Sequence, residues 1–318
     1  MKYLNENALM EIGIDWNQTI SVIDAAVSEL RASNFAQPVK PYLRYGKPYN
    51  RIIAMPAYIG GNYGSAGIKW ISSFPDNIKK NEKRANAVVI LNDVDTGKPY
   101  CIINSGVISG IRTASVSGLL LNKYTKNQDK KFDVGIIGFG PIGKLHLDMC
   151  ANLLGEKLNK VHLFDKRAID ISEIPSSYRH KVVLVNSWNE IVDKSDIVMT
   201  CTVSNDRYIN STGRKGTLHL NVSLRDYCPE FMKTVDVMLV DDWEEICREN
   251  TDIELMHLQH GLNEKDVFNI YDDFESQLDD LDNKVVMFNP MGMAVFDIAI
   301  SQYYFTKAND LGIGTDLD

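Results

Sequence analysis

The sequence predicts an α/β protein, in which a doubly wound parallel sheet accompanies a smaller α+β domain. The main observation is a series of short apolar segments after residue 130. They alternate with helical or loop stretches, as the strands of a buried parallel sheet do. The segments are DVGIIG (133–138), KVHLFD (160–165), DIVMTCT (196–202), TLHLNVS (217–223) and DVMLVDD (236–242).

The first third of the chain has a different pattern. Residues 18–33 place apolar side chains at helical spacing. Four predicted strands follow, separated by Gly, Pro, Asn and Asp turns. They are RIIAMPAYIGG (51–61), AGIKWISSF (66–74), NAVVILND (86–93) and PYCIINSG (99–106). This part of the chain is therefore predicted to be an α+β domain.

The last third contains one more apolar run, VVMFNP (285–290), which predicts a strand. The amphipathic stretch MAVFDIAISQYYFTKAND (293–310) predicts a long helix that packs back onto the first domain. Residues 250–284 are acidic and weakly periodic, and we interpret them as a helical insertion or cover. The predicted domains are residues 1–112, completed by 291–318, and residues 113–290.

Composition excludes several classes of protein. The chain has 318 residues, 44% of them hydrophobic, which is enough for a sizeable core and two domains. Its formal net charge is −8, and no basic run is interleaved with aromatic residues, so nucleic acid and anionic membranes are poor candidates as partners. No apolar segment has the length of a membrane span, and the first residues lack the apolar core of a secretory signal. These features favour a cytoplasmic protein.

Cysteine and histidine spacing predicts neither a disulfide framework nor a metal site. The five cysteines are odd in number, lie far apart and form no C-x-x-C pair. His257 and His260 have a spacing that suits metal ligands, but no cysteine or carboxylate cluster joins them.

A glycine-rich turn carries the clearest binding signal. Gly138, Gly140 and Gly143 form G-x-G-x-x-G directly after a predicted strand and at the start of a predicted helix. Such glycines permit a tight turn, close approach to a pyrophosphate, and close contact between helix and strand. Asp165 follows 22 residues after Gly143, where a carboxylate suits both ribose hydroxyls and repels a 2′-phosphate. The cofactor is predicted to be NAD, although two basic residues after Asp165 could accommodate the phosphate of NADP.

Longer motifs identify a family. The stretches GIKW, SGIRTAS, GIIGFGPIG and NVSLRDYCPE, in this order, resemble the ornithine cyclodeaminase and mu-crystallin family over nearly the whole length. The resemblance implies a Rossmann-type dinucleotide-binding domain at 113–290 and a homodimer. It further implies that residues 1–112 supply substrate binding and dimer contacts. The cofactor-binding positions that match are Arg112, Thr113, Gly138, Gly140, Pro141, Ile142, Gly143, Asp165, Cys201, Thr202, Ser204 and Ser223.

The same resemblance assigns roles to charged residues. Arg51, Lys69 and Arg112 match cations that hold a substrate carboxylate, and Arg112 also lies near the cofactor phosphates in the family. Asp226 matches the acid–base aspartate, and Lys69 is a second candidate catalytic residue. Arg84 adds a cation near the nicotinamide, where cyclodeaminases tend to have a small or hydroxylated residue.

The residues themselves leave alternatives open. SGIRTAS is typical of the opening turn of a helix, where an anion would be favoured, but Arg112 could instead pair with an Asp or Glu. Lys69 lies within an apolar strand and could face solvent. Asp226 could form a surface ion pair with Arg225. Against this last alternative, Asp226 follows the carboxyl end of a predicted strand, where open parallel sheets bind ligands.

One departure from the family pattern bears on the substrate. Cyclodeaminases carry an acidic residue two positions before a Met-Pro pair, and this chain has Ile53 there. An apolar residue among cations favours a substrate with several carboxylates over ornithine. We expect an NAD-dependent dehydrogenase that acts on a secondary amine of an amino acid. The alternatives are an ornithine cyclodeaminase, and a mu-crystallin-like binding protein without catalysis.

Overall fold

A computed structural model describes residues 1–204 and 206–318. The chain divides into two compact units, which are described separately. Unit 1 comprises Met1–Arg112 and Gly292–Asp318, and unit 2 comprises Thr113–Met291. The boundaries expected from the sequence differ from this division only at residue 291.

The described residues contain strands in both units. In chain order the strands are β1 (Lys2–Asn5), β2 (Phe35–Ala36), β3 (Tyr42–Arg44), β4 (Arg51–Ile59), β5 (Ser65–Ser73), β6 (Ala85–Asp93), β7 (Pro99–Asn104), β8 (Phe132–Ile137), β9 (Leu158–Phe164), β10 (Val182–Leu184), β11 (Ile197–Thr200), β12 (Thr217–Leu220), β13 (Val237–Val240), β14 (Phe268–Asn269), β15 (Val285–Asn289) and β16 (Thr315–Asp316).

Helices connect or cover these strands. The α-helices are α1 (Glu6–Ile12), α2 (Trp16–Arg31), α3 (Val107–Thr125), α4 (Pro141–Leu154), α5 (Ser176–Arg179), α6 (Trp188–Lys194), α7 (Trp243–Ile246), α8 (Asp252–His260) and α9 (Ala294–Leu311). Short 3₁₀ helices span Pro75–Lys80, Gly155–Lys157, Ile171–Glu173, Pro229–Thr234, Glu264–Asp266, Glu275–Leu278 and Leu281–Asn283. Among the helices of the described residues, none has the length and apolarity that a membrane span requires.

Unit 1 is a mixed sheet covered by helices. Its strand order is β16-β1-β7-β6-β5-β4-β2, and β3 also pairs with β4. β1 and β7 run parallel, whereas the other neighbouring strands run antiparallel. Helix α9 packs on β4, β5 and β6, and on α1 and α2. The prediction that the C-terminal helix packs onto the first domain is confirmed.

Unit 2 is a fully parallel sheet with the order β10-β9-β8-β11-β12-β15-β13-β14. The order reverses direction next to β8, as in doubly wound sheets, whose ligands bind beyond the carboxyl ends of the strands. Every residue of β11, β12, β13 and β15 is buried, which accounts for their largely apolar sequences. This sheet presents the glycine-rich turn and the loops that follow β11 and β12.

Two elements differ from the prediction. Residues 250–284 contain one regular helix, α8, but then add β14, a two-residue parallel strand that extends the sheet. A strand this short has no periodic signal in the sequence. Helix α3 begins at Val107, so Arg112 lies in its second turn and not in the opening turn. The free N–H groups of a helix belong to its first four residues, so Arg112 itself supplies none of them. That Arg112 and the helix end receive an anion together stays a prediction.

Candidate active site

The glycine-rich turn of unit 2 is shaped for close approach of a ligand. Gly138 has φ +95°, a conformation that favours glycine, and an added Cβ would lie 2.7 Å from the Cys201 carbonyl oxygen. An added Cβ at Gly143 would collide with the Gly138 carbonyl oxygen, so this glycine lets α4 pack against the turn. Gly140, by contrast, faces open space and is the N-cap of α4 without a side-chain cap. The turn therefore leaves the helix N-terminus open to a phosphate.

Further predicted cofactor-binding residues lie around this turn. Pro141 and Ile142 open α4, and neither is buried. Asp165 directly follows β9, and its Oδ2 accepts the Phe139 backbone N–H at 2.8 Å. Its Oδ1 accepts the Arg167 backbone N–H at 2.8 Å. Burial opposes ionisation of Asp165, but the N–H groups of Arg167 and Phe139 outweigh it and lower its pKa. Asp165 is therefore an ionised acceptor that is anchored to the turn.

A buried charge cluster forms the centre of unit 1. Lys69 Nζ donates to Asp297 Oδ2 at 2.8 Å, and Arg112 Nε donates to Asp297 Oδ1 at 3.0 Å. Lys69 is 1% exposed and Asp297 2%, whereas Trp70 is 44% exposed. The alternative that Lys69 faces solvent is therefore wrong. The alternative that Arg112 pairs with a carboxylate is confirmed, and its partner comes from α9.

Lys40 also belongs to this cluster, and Gly292 lies beside it. Lys40 is buried and donates to the Gly292 carbonyl oxygen at 2.8 Å. Its positive charge acts on Lys69. Gly292 has φ +93°, and an added Cβ would lie 2.5 Å from Arg112 Nη1, so glycine is needed beside the guanidinium. We call Lys40, Lys69, Arg112 and Asp297 the cation cluster.

Burial perturbs the protonation of Lys69. Desolvation lowers the pKa of Lys69 to about 7, the charges of Arg112 and Lys40 act in the same direction, and Asp297 opposes them. Burial would raise the pKa of Asp297, but Arg112 and Lys69 outweigh it, so Asp297 stays ionised. The cluster thus holds one carboxylate, two lysines and an arginine. An arriving carboxylate would neutralise the excess positive charge and favour protonated Lys69.

Arg51 and Arg84 lie at one end of the strands, apart from the cation cluster. Arg51 opens β4 opposite Ser73, and Arg84 Nη2 donates to Ser73 Oγ at 3.4 Å. Ser73 is four residues beyond Lys69 on β5, a spacing of about 13 Å. Arg51 shares a sheet face with Lys69, because Met55 lies opposite Lys69 in the register and residues alternate along β4. By the same alternation Ile53 lies on this face, between the two positions.

Asp226 of unit 2 lies in the loop after β12 and is fully buried. Its Oδ1 accepts a hydrogen bond from Thr202 Oγ1, and its Oδ2 accepts one from Ser223 Oγ. Arg225 points elsewhere, because its Nη2 donates to the Glu249 carbonyl oxygen at 2.8 Å. The alternative of a surface ion pair is therefore wrong.

The remaining predicted cofactor residues lie in the loops after β11 and β12 or on α3. Cys201 is buried directly after β11, and burial raises the pKa of its thiol well above the ordinary value. Ser204 donates its backbone N–H to Thr202 Oγ1 at 3.2 Å, so the loop after β11 supports Thr202. Thr113 is half-buried on α3. Thr202, Ser223 and Asp226 are thus brought together by the carboxyl ends of two adjacent strands.

Sequence reasoning missed three residues of these sites. They are Lys40, Asp297 and Tyr208. Asp297 had a signal, since it is one charge within an apolar helical run, AVFDIAI. Lys40 lies in a stretch without periodicity. Burial and the charge of Asp226 raise the pKa of the Tyr208 hydroxyl, which therefore remains protonated beside Asp226.

Comparison with known proteins identifies the family. The model of the ornithine cyclodeaminase/mu-crystallin family matches residues 3–311. The chain belongs to this family. It is 32% identical to N-((2S)-2-amino-2-carboxyethyl)-L-glutamate dehydrogenase of Staphylococcus aureus, over all of this chain and 98% of that protein.

Solved structures support the same fold. One is the Thermococcus litoralis Delta(1)-pyrroline-2-carboxylate reductase in complex with NADH and L-proline, with a TM-score of 0.87, 22% identity and full coverage of both chains. Another is an archaeal alanine dehydrogenase dimer with bound NAD, with a TM-score of 0.82 and 19% identity, covering all of this chain and 99% of the other. The predicted family and α/β fold class are confirmed, as is the prediction of an NAD-dependent dehydrogenase of amino acids.

Proposed function

We propose that this chain oxidises the secondary amine of N-(2-amino-2-carboxyethyl)-L-glutamate with NAD, giving 2-oxoglutarate and L-2,3-diaminopropionate for siderophore or related biosynthesis. The observation that carries the proposal is the cation cluster, in which Lys69 and Arg112 contact Asp297 and the charge of Lys40 acts on Lys69. Buried charges of one sign are costly unless anions arrive, and this substrate brings three carboxylates. The S. aureus relative, whose name contains this substrate, supports the choice.

Residues outside the cluster favour the same substrate. Arg51 and Arg84 lie at the strand ends on either side of Ser73 and suit a second carboxylate. Ile53 offers no negative charge to the side-chain amine of ornithine. The substrate thus matches the charge pattern of unit 1 better than ornithine does.

The reaction needs a two-electron oxidant, a proton acceptor and a proton donor. The glycine turn and Asp165 would hold NAD, which, when bound, accepts the two electrons as hydride. Asp226 takes the proton of the substrate amine and later protonates the departing nitrogen. Water adds to the carbon that has lost the hydride. The bond between this carbon and the nitrogen then breaks, which gives the two products. Lys40, Lys69 and Arg112 hold carboxylates throughout.

We also propose that the chain forms a homodimer through unit 1. Tyr58 and Trp70 are 36% and 44% exposed on neighbouring strands of its sheet. Large aromatic residues at a sheet surface are typical of subunit contacts. The archaeal alanine dehydrogenase to which the chain is similar is a dimer. Sedimentation at micromolar concentration tests this proposal, and a monomer would contradict it.

The test of the proposed reaction is NADH production. With the tricarboxylate amine we expect steady NADH and equimolar 2-oxoglutarate, and with ornithine neither. Proline and ammonia formed from ornithine without net NADH would instead indicate a cyclodeaminase. Tight ligand binding without turnover would indicate a binding protein.

A variant links this activity to the site. Asp226→Asn should lower turnover roughly 100-fold with NAD affinity retained. Asp196→Asn is the matched control, because Asp196 accepts the Asp133 backbone N–H before β11, at the other end of the strand. A near-normal rate in Asp226→Asn would remove Asp226 from the mechanism.

A further inference from the structure

The loop that carries Asp226 is held in an unusual conformation. Leu224 has φ +64°, a left-handed conformation that is costly for a branched side chain. Its backbone N–H donates to Asn221 Oδ1 at 3.1 Å, and its carbonyl oxygen accepts the Asp252 N–H at 2.8 Å. A strained residue persists only where its surroundings fix it. The cause must therefore lie in what surrounds this loop.

Asp252, the first residue of α8, provides most of that constraint. Its Oδ2 accepts the backbone N–H groups of Asp226 and Tyr227, both at 3.1 Å, and Asn221 Nδ2 at 3.0 Å. Its Oδ1 accepts Arg207 Nε at 2.8 Å. Asp252 is fully buried. One carboxylate thus fixes the backbone at Asp226 without touching the Asp226 side chain.

A second strained turn supports Asp252. Glu249 and Asn250 have φ +63° and +56°, directly before the N-cap Thr251. Arg207 Nη2 donates to the Asn250 carbonyl oxygen at 2.6 Å, so Arg207 holds this turn and Asp252 together. Arg225 donates to the Glu249 carbonyl oxygen from the Asp226 loop. Of the three left-handed residues, Leu224 and Asn250 are therefore hydrogen-bonded to the two members of one buried ion pair, and Glu249 to the Asp226 loop.

We propose that Asp252 is a positioning residue for catalysis, which, together with Arg207, fixes the Asp226 carboxylate at the angle that proton transfer requires. The proposal rests on the proposed acid–base role of Asp226. It gives a function to a fully buried carboxylate that lies 26 residues from Asp226 in sequence. Proton transfer is sensitive to such positioning, and a displacement of about 1 Å costs up to 100-fold in rate.

The sharpest perturbation is Asp252→Asn. The asparagine keeps the size of the side chain but replaces one acceptor oxygen with an NH₂ group. The NH₂ group would face either Arg207 or the backbone N–H groups of Asp226 and Tyr227. All of these groups are donors, so the hydrogen bonds on that side of residue 252 would be lost. We expect kcat to fall roughly 10- to 100-fold, with the Kd of NAD unchanged.

A double variant separates positioning from general damage. If Asp252 acts through Asp226, then Asp252→Asn should cost less than about twofold in an Asp226→Asn background. A structural defect would lower both backgrounds by the same factor, and that result would overturn the proposal. Residual turnover of about 1% in Asp226→Asn is measurable by NADH fluorescence.

Arg207→Lys provides a second test of the proposal, and Asp196→Asn provides a control. Arg207→Lys keeps the charge but cannot contact Asp252 and Asn250 together, so it tests the same clamp if Asp252→Asn fails to fold. It should lower kcat, and this loss too should vanish in the Asp226→Asn background. Asp196→Asn should leave kcat unchanged. If Asp226→Asn itself is fully active, the proposed function fails. If Asp226→Asn is impaired while Asp252→Asn and Arg207→Lys are normal, only this proposal fails.

Discussion

Removal of the carboxylate from the cation cluster is the most informative test of unit 1. Asp297→Asn leaves Lys69 and Arg112 buried without the anion they contact at 2.8 and 3.0 Å. Removing one partner of a buried ion pair costs about 3–5 kcal/mol, because the remaining charge is desolvated. Lys69 can relieve part of this cost, since loss of Asp297 lowers its pKa further below about 7 and the lysine becomes neutral. Arg112 cannot, because guanidinium does not lose its proton at accessible pH.

The assay is urea denaturation at pH 8, followed by tryptophan fluorescence in a Trp188→Phe, Trp243→Phe background, in which the remaining tryptophans, Trp16 and Trp70, lie in unit 1. Asp76→Asn is the matched control, since Asp76 also accepts from two lysines, Lys47 at 2.5 Å and Lys79 at 2.8 Å, but on the exposed surface. We expect Asp297→Asn to lower the free energy of unfolding by about 3–5 kcal/mol, and Asp76→Asn to lower it far less. Equal losses in the two variants would refute the view that the cluster is desolvated and held by Asp297.

Three further predictions concern single residues. Asp165 should make the Kd of NAD much lower than that of NADP when both are measured at one salt concentration, and equal or tighter NADP binding would contradict its assignment. Lys69 releases its proton near pH 7 in the folded chain and at its ordinary pKa of 10.5 in the unfolded chain, so the unfolded chain binds more protons between these values. Stability should therefore rise with pH in that window, and Lys69→Met should flatten the rise between pH 7.5 and 9 in urea titrations. Arg112→Ala should cost about 2–5 kcal/mol in kcat/KM for the tricarboxylate amine, with a smaller effect on NAD binding by calorimetry. Loss of NAD binding alone would make Arg112 a phosphate ligand only.

Local motifs in the sequence predicted the dinucleotide site. Gly138, Gly140 and Gly143 lie within six residues. A Cβ at Gly138 or Gly143 would collide with backbone atoms, whereas Gly140 faces open space. Asp165 follows the next strand, so its position could be read from the strand pattern. The fold class could be predicted for the same reason, because buried parallel strands have continuous apolar sequences.

Contacts between distant residues could not be predicted. Lys69 and Asp297 are 228 positions apart, and no periodicity relates them. Strand alternation showed that Lys69 and Trp70 face opposite sides of the sheet, but it could not show that the lysine faces inward. Asp252 lies in an acidic segment, and the sequence alone does not show which of its carboxylates is buried. The sequence therefore predicted the elements, whereas the electrostatic partners required the tertiary structure.

The position of Asp297 on α9 has a consequence for biogenesis. Residues 294–311 leave the ribosome after all of unit 2, whereas Lys69 and Arg112 emerge before it. Until α9 docks, the sheet of unit 1 lacks both its apolar cover and the anion that neutralises its interior. We therefore expect unit 2 to fold first during synthesis. Residues 1–112 should stay unfolded and depend on chaperones until α9 has been synthesised. A stalled chain that ends before residue 294 should accordingly be protease-resistant in unit 2 and sensitive throughout residues 1–112.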